Sequence, residues 1–251
     1  MKIAISGKGG VGKTTVAAAL CRLFEEDGLL VYAVDADPDA SLGLTLGLAE
    51  ADLARSRPLV EMKELISERV GDGGGMFTLN PKVDDVIENF SLACGNIRLL
   101  RMGSVKKAAT ACYCPENSFL GAVVRALVLE KDAVVIMDMS AGIEHLTRGT
   151  AQGMDTMLIV SEPSPTSLKT ARIAADLAGE LGVSRVQFVG NKVRNEQDQQ
   201  RLTDGVNGRF LGFLPYEDSL FGLPLINAGT DDPFWSAARE VYCKLTSEPQ
   251  T

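Results

Sequence analysis

A glycine-rich loop near the start of the chain limits what this sequence can fold into more than any other feature. The loop, Gly-Lys-Gly-Gly-Val-Gly-Lys-Thr at residues 7–14, follows the apolar segment Ile3–Ser6 and begins a helical pattern that continues to Phe24. It matches the motif G-x-x-x-x-G-K-[ST] in the strand–loop–helix context that this motif requires. Its glycines allow backbone N–H groups to surround phosphate oxygens, and the start of the helix favours negative charge. The sequence therefore predicts a nucleoside triphosphate site.

Two residues of this loop have specific expected roles. Lys13 should bridge the β- and γ-phosphates, and the Thr14 hydroxyl should bind Mg²⁺. The same glycines also fit the dinucleotide pattern G-x-G-x-x-G, with Asp35 at the distance of a ribose ligand. We favour the triphosphate, because a dinucleotide turn needs neither the lysine nor the hydroxyl. The residues expected to contact the nucleotide here are Gly9, Gly10, Val11, Gly12, Lys13, Thr14 and Thr15.

Short apolar segments alternate with helical patterns along the chain, which predicts an α/β fold with a doubly wound, mostly parallel sheet flanked by helices. A less regular stretch with glycines at residues 71 and 73–75 separates the second segment from the third, and we interpret it as an insertion. We therefore expect residues 1–251 to form a single P-loop NTPase domain. The predicted strands are Ile3–Ser6, Leu30–Val34, Ile97–Met102, Val134–Met137, Met157–Val160, Val186–Val189 and Phe210–Leu214.

Carboxylates follow two of these strands. The second strand is followed by Asp35, Asp37 and Asp39, and the apolar segment that starts at Val134 ends in Asp138. Doubly wound folds bind ligands at the carboxyl ends of their strands, where such groups can hold Mg²⁺-bound water or orient an attacking water. Asp138 has the form of a Walker-B residue that anchors Mg²⁺ through water.

A base-recognition segment is indicated by Asn191-Lys192 at the end of a later strand, which resembles the start of the GTPase motif N-K-x-D. Position 194 is Arg, however, and lacks the carboxylate that accepts hydrogen bonds from guanine. Adenine is therefore the predicted base, and the Asn191 amide should hydrogen-bond to it. Pro215 and Tyr216 should line the other side of the same pocket.

The motifs together resemble those of the deviant Walker-A ATPases, which include the nitrogenase iron protein and MinD/ParA-type proteins. The resemblance rests on Lys8 inside the loop and on Val-Asp-Ala-Asp-Pro-Asp at residues 34–39, and the order of motifs covers the whole chain. It implies that Lys8 reaches across a face-to-face homodimer to the partner's phosphates. It also implies that Asp37 activates the attacking water and that Asp35 supports Mg²⁺.

A narrower resemblance links the chain to the CooC-type accessory ATPases that serve nickel insertion into carbon monoxide dehydrogenase. It rests on three segments, at residues 80–84, 111–118 and 138–150. It implies an ATP-dependent metallochaperone or maturation factor whose client is carbon monoxide dehydrogenase. Met139 stands where most members of the superfamily carry a hydroxyl residue after Walker B, so this sequence lacks a hydroxyl there.

The segment 111–118 contains a pair of cysteines, Cys112 and Cys114, that could bind a metal. In an extended segment the two side chains point to the same face, and a two-fold dimer would bring four thiolates together. Four sulfur ligands favour Zn²⁺, while Ni²⁺ is implied by the resemblance, so both metals stay open. We expect His145, the only histidine, to have a packing or hydrogen-bonding role.

Composition argues against several other functions. The formal net charge of −8 opposes a ParA-type DNA-binding role, because nonspecific DNA binding depends on Lys and Arg. A MinD-type membrane role would need a basic amphipathic helix, and the apolar residues of the segment 232–245 are better explained by core packing. An iron–sulfur electron donor is the third alternative. Five cysteines, an odd number, and an apolar start too short for a signal peptide predict a cytoplasmic protein. From the charge and the missing basic amphipathic helix we expect neither a nucleic-acid nor a membrane partner.

Overall fold

The architecture is taken from a computed structural model of the chain. It describes residues 1–37, 39–71, 78, 81–103, 115–140, 151, 153–220, 222, 224–225 and 232–247. The strands are β1 (Lys2–Ser6), β2 (Leu30–Ala36), β3 (Leu92–Cys94), β4 (Ile97–Arg101), β5 (Ala133–Met139), β6 (Thr156–Ser161), β7 (Val186–Val193) and β8 (Phe210–Pro215). The helices are α1 (Lys13–Glu26), α2 (Leu42–Thr45), α3 (Glu50–Arg55), α4 (Lys63–Val70), α5 (Asp84–Phe90), α6 (Pro115–Leu129), α7 (Pro165–Leu181), α8 (Glu196–Gly205) and α9 (Pro233–Thr246).

The described strands form one eight-stranded sheet in the order β3-β4-β2-β5-β1-β6-β7-β8. All neighbouring pairs are parallel except β3 and β4, which are antiparallel. This arrangement confirms the predicted doubly wound, mostly parallel sheet. The sequence prediction missed β3, a three-residue edge strand with no fully buried residue.

Hydrophobic residues pack on both faces of the sheet. In β1, Ala4 belongs to the core on one face, whereas Ile3 and Ile5 belong to the core on the other. Helices α1 and α9 cover the second face, and α4, α6 and α7 cover the first. Every residue of β1, β5 and β6 is buried, as expected for parallel strands between two helical layers. The carboxyl ends of the central strands therefore meet at one edge, where the predicted site residues lie.

Candidate functional site

The glycine-rich loop joins β1 to α1, and two of its glycines are required by its geometry. Gly12 precedes α1 in the left-handed conformation, with φ of 92° and a position where a Cβ would lie 2.2 Å from Asn191 Nδ2. Gly7 has φ of 148°, and a Cβ there would lie 2.2 Å from the Val160 carbonyl oxygen. L-residues with side chains rarely adopt these angles. The loop therefore packs directly against the ends of β6 and β7.

Lys13 opens α1 with its amine turned back over this loop. The side chain is 6% exposed, and its Nζ lies 3.4 Å from the Lys8 carbonyl oxygen and 3.9 Å from Asp37 Oδ2. The structure thus brings together the loop backbone, Lys13 and Asp37, three of the groups predicted to act on the phosphates. Lys8 itself is partly exposed.

Two buried carboxylates lie side by side at the ends of β2 and β5. Asp35 pairs with Asp138 in the strand register, and the two side chains are 1% and 0% exposed. Thr14 Oγ1 donates a 2.7 Å hydrogen bond to Asp138 Oδ2, and the Leu42 amide donates one of 3.1 Å to Asp35 Oδ2. The remaining oxygens, Asp35 Oδ1 and Asp138 Oδ1, are buried without a hydrogen-bond partner among the described residues.

The electrostatics of this pair suit a cation. Burial raises the pKa of Asp35 to about 6 and that of Asp138 to about 7, although the Thr14 hydrogen bond opposes the shift at Asp138. The proximity of the two carboxyls also raises the pKa of Asp138. A hard divalent cation prefers oxygen ligands and removes the cost of burying two unpaired carboxylate oxygens. Thr14, Asp35 and Asp138 are therefore a set of donors that fits Mg²⁺ or its bound water.

The end of β7 contacts the loop through two consecutive residues. Asn191 Nδ2 donates a 2.7 Å hydrogen bond to the Val11 carbonyl oxygen, and Lys192 Nζ donates one of 2.5 Å to the Gly10 carbonyl oxygen. Sequence reasoning placed both residues at the base and missed these bonds to the loop. The guanidinium of Arg194 instead lies over the Tyr216 ring, 4.2 Å from its centroid.

A cavity of about 640 Å³ opens beside the loop and gathers many predicted residues. A volume of this size is in the range of small-ligand sites. Apolar side chains that the sequence did not single out form part of its wall, among them Leu44, Leu48, Leu220 and Leu225. A larger cavity, of about 780 Å³, lies beside β3 and is lined by none of the predicted site residues. The predicted residues that line the cavity beside the loop are Gly10, Gly12, Thr15, Asn191, Lys192, Pro215 and Tyr216.

The predicted transition-metal ligands Cys112 and Cys114, like His145, lie outside the described residues. Within the part of the chain that the structure describes, no group of three or more His, Cys, Asp and Glu side chains is arranged to hold a metal ion. Cys21, Cys94 and Cys243 are free thiols. Among the described helices, none has the length and hydrophobicity needed to cross a membrane.

A family model and two similar proteins agree on the family of this chain. The family model of the CobQ/CobB/MinD/ParA nucleotide-binding domain matches residues 2–226. An uncharacterized ATP-binding protein of Methanocaldococcus jannaschii is 44% identical over 228 residues, which cover 88% of this chain and 87% of that protein. The carbon monoxide dehydrogenase accessory protein CooC of Rhodospirillum rubrum is 38% identical over 224 residues, which cover 88% and 85% of the two chains.

Solved structures show the same fold. The septum site-determining protein MinD of Pyrococcus horikoshii, complexed with Mg-ADP, superposes with a TM-score of 0.69 at 22% identity, over 98% of this chain and 96% of that one. A chain of the MinC:MinD cell division protein complex of Aquifex aeolicus superposes with a TM-score of 0.70 at 20% identity, over 99% of this chain and 96% of that one. The strand order, the glycine loop and the sequence matches agree, and the chain belongs to the CobQ/CobB/MinD/ParA family as an ATPase of the MinD/ParA type.

Proposed function

We propose that this ATPase dimerises around ATP and serves as a metallochaperone in the maturation of a metalloenzyme, by inserting nickel into carbon monoxide dehydrogenase. The observation that carries the proposal is the 38% identity, over 88% of this chain, to a protein named as a carbon monoxide dehydrogenase accessory protein. The cysteine pair Cys112 and Cys114 supports it, because thiolates are suitable ligands for a transferred transition metal. The whole chain acts as one ATPase domain.

The ATP site is formed by the loop and the carboxylates around it. The loop N–H groups and the Lys13 amine hold the phosphates, and the Thr14 hydroxyl with Asp35 and Asp138 holds Mg²⁺ and its water shell. When bound, Mg²⁺ neutralises charge on the phosphate oxygens. Asp37 orients the water that attacks the γ-phosphorus, and the bond to the β–γ bridging oxygen breaks to give ADP and phosphate. The position of Lys13 Nζ, 3.9 Å from Asp37 Oδ2, supports a shared phosphate site for these two residues.

Dimerisation supplies a second lysine to each phosphate site. Lys8 reaches the phosphates of the partner subunit, in the manner of an arginine finger. Lys13 is buried over its own loop and already serves that site, while Lys8 is partly exposed. Hydrolysis therefore depends on contact between two subunits.

Metal binding is coupled to the same dimer. Cys112 and Cys114 of both subunits hold one ion, Ni²⁺ as cargo or Zn²⁺ in its place. Four thiolates without a cation repel one another, so bound metal favours the dimer. A nucleotide that alters subunit contact therefore changes metal affinity, and bound metal changes the affinity for that nucleotide by the same factor. ATP hydrolysis opens the site beside the client enzyme.

Native mass spectrometry with metal analysis tests this proposal. The protein is measured anaerobically with Ni²⁺ or Zn²⁺, with and without a non-hydrolysable ATP analogue. One metal ion per two chains, lost in Cys112→Ser and in Cys114→Ser, is the expected result. One ion per monomer, or unchanged binding in both variants, would contradict a shared site. Cys243→Ser is the matched control, because Cys243 is an exposed thiol on α9.

The alternative functions predict different behaviour. A MinD-type membrane role would need an available amphipathic helix, but Phe234, Trp235, Val241 and Leu245 of α9 are all at most 3% exposed. A ParA-type role would require DNA retention that falls with salt, which the net charge of −8 opposes. An iron–sulfur electron donor would be coloured when purified anaerobically.

A further inference from the structure

The carboxyl end of β7 contacts the glycine-rich loop through two neighbouring side chains that bond to two neighbouring carbonyls. Asn191 Nδ2 lies 2.7 Å from the Val11 carbonyl oxygen, and Lys192 Nζ lies 2.5 Å from the Gly10 carbonyl oxygen. The Asn191 side chain is buried, and that of Lys192 is 30% exposed. Both bonds join segments about 180 residues apart in the sequence.

These bonds fix the direction of two peptide groups. In a trans peptide the C=O and the following N–H point in opposite directions. A carbonyl of Gly10 held towards β7 therefore turns the Val11 N–H away from β7, and the Val11 carbonyl does the same for the Gly12 N–H. The Val11 N–H is in fact directed across the loop towards the Lys8 carbonyl oxygen, at 3.4 Å. Loop N–H groups that face inward are those available to phosphate oxygens.

The lysine is itself held by its surroundings. Lys192 has φ of 58°, a left-handed conformation that costs a residue with a side chain on the order of 1 kcal/mol or more. Its amine lies 3.3 Å from Glu162 Oε2, at the end of β6, and Glu162 Oε1 accepts a 3.2 Å hydrogen bond from the hydroxyl of Ser164. Ser164 caps the start of α7. A chain of polar contacts thus runs from α7 through Glu162 and Lys192 to the loop.

We propose that Lys192 is a positioning residue that, together with Asn191, clamps the Gly10 and Val11 carbonyls so that the loop N–H groups face the nucleotide phosphates. Glu162 holds the Lys192 amine against the loop. This inference rests on the proposed nucleotide site, and it gives Lys192 a task different from base recognition. A clamp on the phosphate loop affects every nucleotide with a β-phosphate to the same extent. A contact to the base distinguishes adenine from guanine.

Calorimetric titration with Mg-ADP and with Mg-GDP separates these two roles. In Lys192→Met, the Kd of both nucleotides should rise about tenfold, as expected for loss of one charge-assisted hydrogen bond, with their ratio unchanged. Glu162→Gln should raise both by a smaller factor of about three, because the Lys192–Glu162 pair is partly exposed to solvent. Lys169→Met, which removes an exposed lysine from α7, is the matched control and should bind as the unmodified protein does.

A second variant distinguishes positioning from a merely structural role. Lys192→Gly removes both the amine and the left-handed strain, so the Tm of the nucleotide-free protein should be retained or raised while Mg-ADP binding is weakened as in Lys192→Met. Equal affinity of Lys192→Met and the unmodified protein would overturn the clamp, and so would a changed ratio of the two Kd values. Loss of the fold in both Lys192 variants would also overturn it. If the unmodified protein binds no nucleotide, the proposed ATP site fails, which is a distinct result.

Discussion

The hydroxyl of Thr14 donates a 2.7 Å hydrogen bond to Oδ2 of Asp138, so the first turn of α1 is tied to the end of β5 across 124 residues of sequence. The sequence predicts that the two residues belong to one Mg²⁺ site, and in the structure they are joined directly by this hydrogen bond. Asp138 Oδ1 has no partner among the described residues. The hydrogen bond holds two of the predicted Mg²⁺ donors next to each other, which reduces the cost of ordering them when a cation binds.

Lys13 and Asp37 should give different kinetic defects when they are replaced. Lys13→Ala removes a ground-state phosphate contact, so we expect the Kd of Mg-ATP to rise at least about tenfold. Asp37→Ala should leave this Kd within about threefold and lower kcat about a hundredfold, because water positioning matters in the transition state. Nucleotide binding and steady-state hydrolysis would be measured for both.

The control for this pair is Asp132→Ala, which removes an exposed carboxylate before the start of β5 and should change neither parameter. Equal Mg-ATP affinity in Lys13→Ala and the unmodified protein would contradict the proposed phosphate contact.

Asp35 and Asp138 should make the stability of the nucleotide-free protein depend on pH. Burial raises their pKa values to about 6 and about 7, above the ordinary value of 3.8. Between about pH 4 and pH 7 the folded state therefore binds more protons than the unfolded state, and the free energy of unfolding falls as the pH rises through this interval. Above about pH 7 the carboxylates are charged and the full cost is present.

Asp138→Asn tests this dependence, because the amide imitates the protonated carboxyl. The variant should have the higher free energy of unfolding above about pH 4, and the gap should widen by about 1–3 kcal/mol between pH 5 and pH 7.5, since one pKa unit corresponds to about 1.4 kcal/mol. Urea unfolding at the two pH values, without nucleotide or Mg²⁺, measures the difference. A gap that stays constant or narrows as the pH rises would be inconsistent with a buried, charged Asp138.

The sequence predicted the sheet well because its central strands carry a strong signal. Segments such as Val134–Met137 are apolar on both faces, and the structure extends this one by only one residue at the start and two at the end, to β5. The same logic placed Asp35 and Asp138 at the ligand-binding edge of the sheet, since carboxyl ends of parallel strands share one edge. The edge strand β3 was missed because its three residues alternate between half-buried and exposed without an apolar run.

Parts of the site depend on tertiary packing and have no local signal. Nothing in the sequence around Lys192 indicates a left-handed backbone, because neither glycine nor a turn motif occupies that position. The apolar wall of the cavity was also missed. Leu44 and Leu220 belong to helical turns that are too short to show a helical pattern of apolar residues in the sequence. The bond between Asn191 and the Val11 carbonyl joins segments that only the fold brings together.

Replacement by alanine should destabilise the protein at Gly12 and have little effect at Gly9. Gly12→Ala places a Cβ 2.2 Å from Asn191 Nδ2 at a φ of 92°, whereas a Cβ at Gly9 meets nothing within 4 Å. We expect Gly12→Ala to lower the free energy of unfolding by about 2 kcal/mol or more, from left-handed strain and the broken Asn191 bond. Gly9→Ala should change it by less than about 0.5 kcal/mol. Denaturant unfolding of the nucleotide-free proteins provides the comparison, and equal losses in the two variants would refute the geometric argument.

Trans action of Lys8 can be tested by mixing two inactive proteins. In a heterodimer of Lys8→Ala and Asp37→Ala subunits, the site in the Lys8→Ala subunit keeps its own Asp37 and receives Lys8 from its partner. That site should hydrolyse ATP, while the other site lacks both groups. An equal mixture contains heterodimers as about half of its dimers, each with one of two sites active, so the expected activity is about a quarter of that of the unmodified protein.

If Lys8 instead acts within its own subunit, neither site of the heterodimer is complete, and the mixture never exceeds the sum of its parts. The control replaces the Asp37→Ala partner with a subunit that carries both substitutions, which can supply no Lys8 and should restore nothing. Activity per mole of protein should also rise with total protein concentration in the productive mixture and not in the control mixture. The reason is that the competent species is a dimer whose population follows mass action.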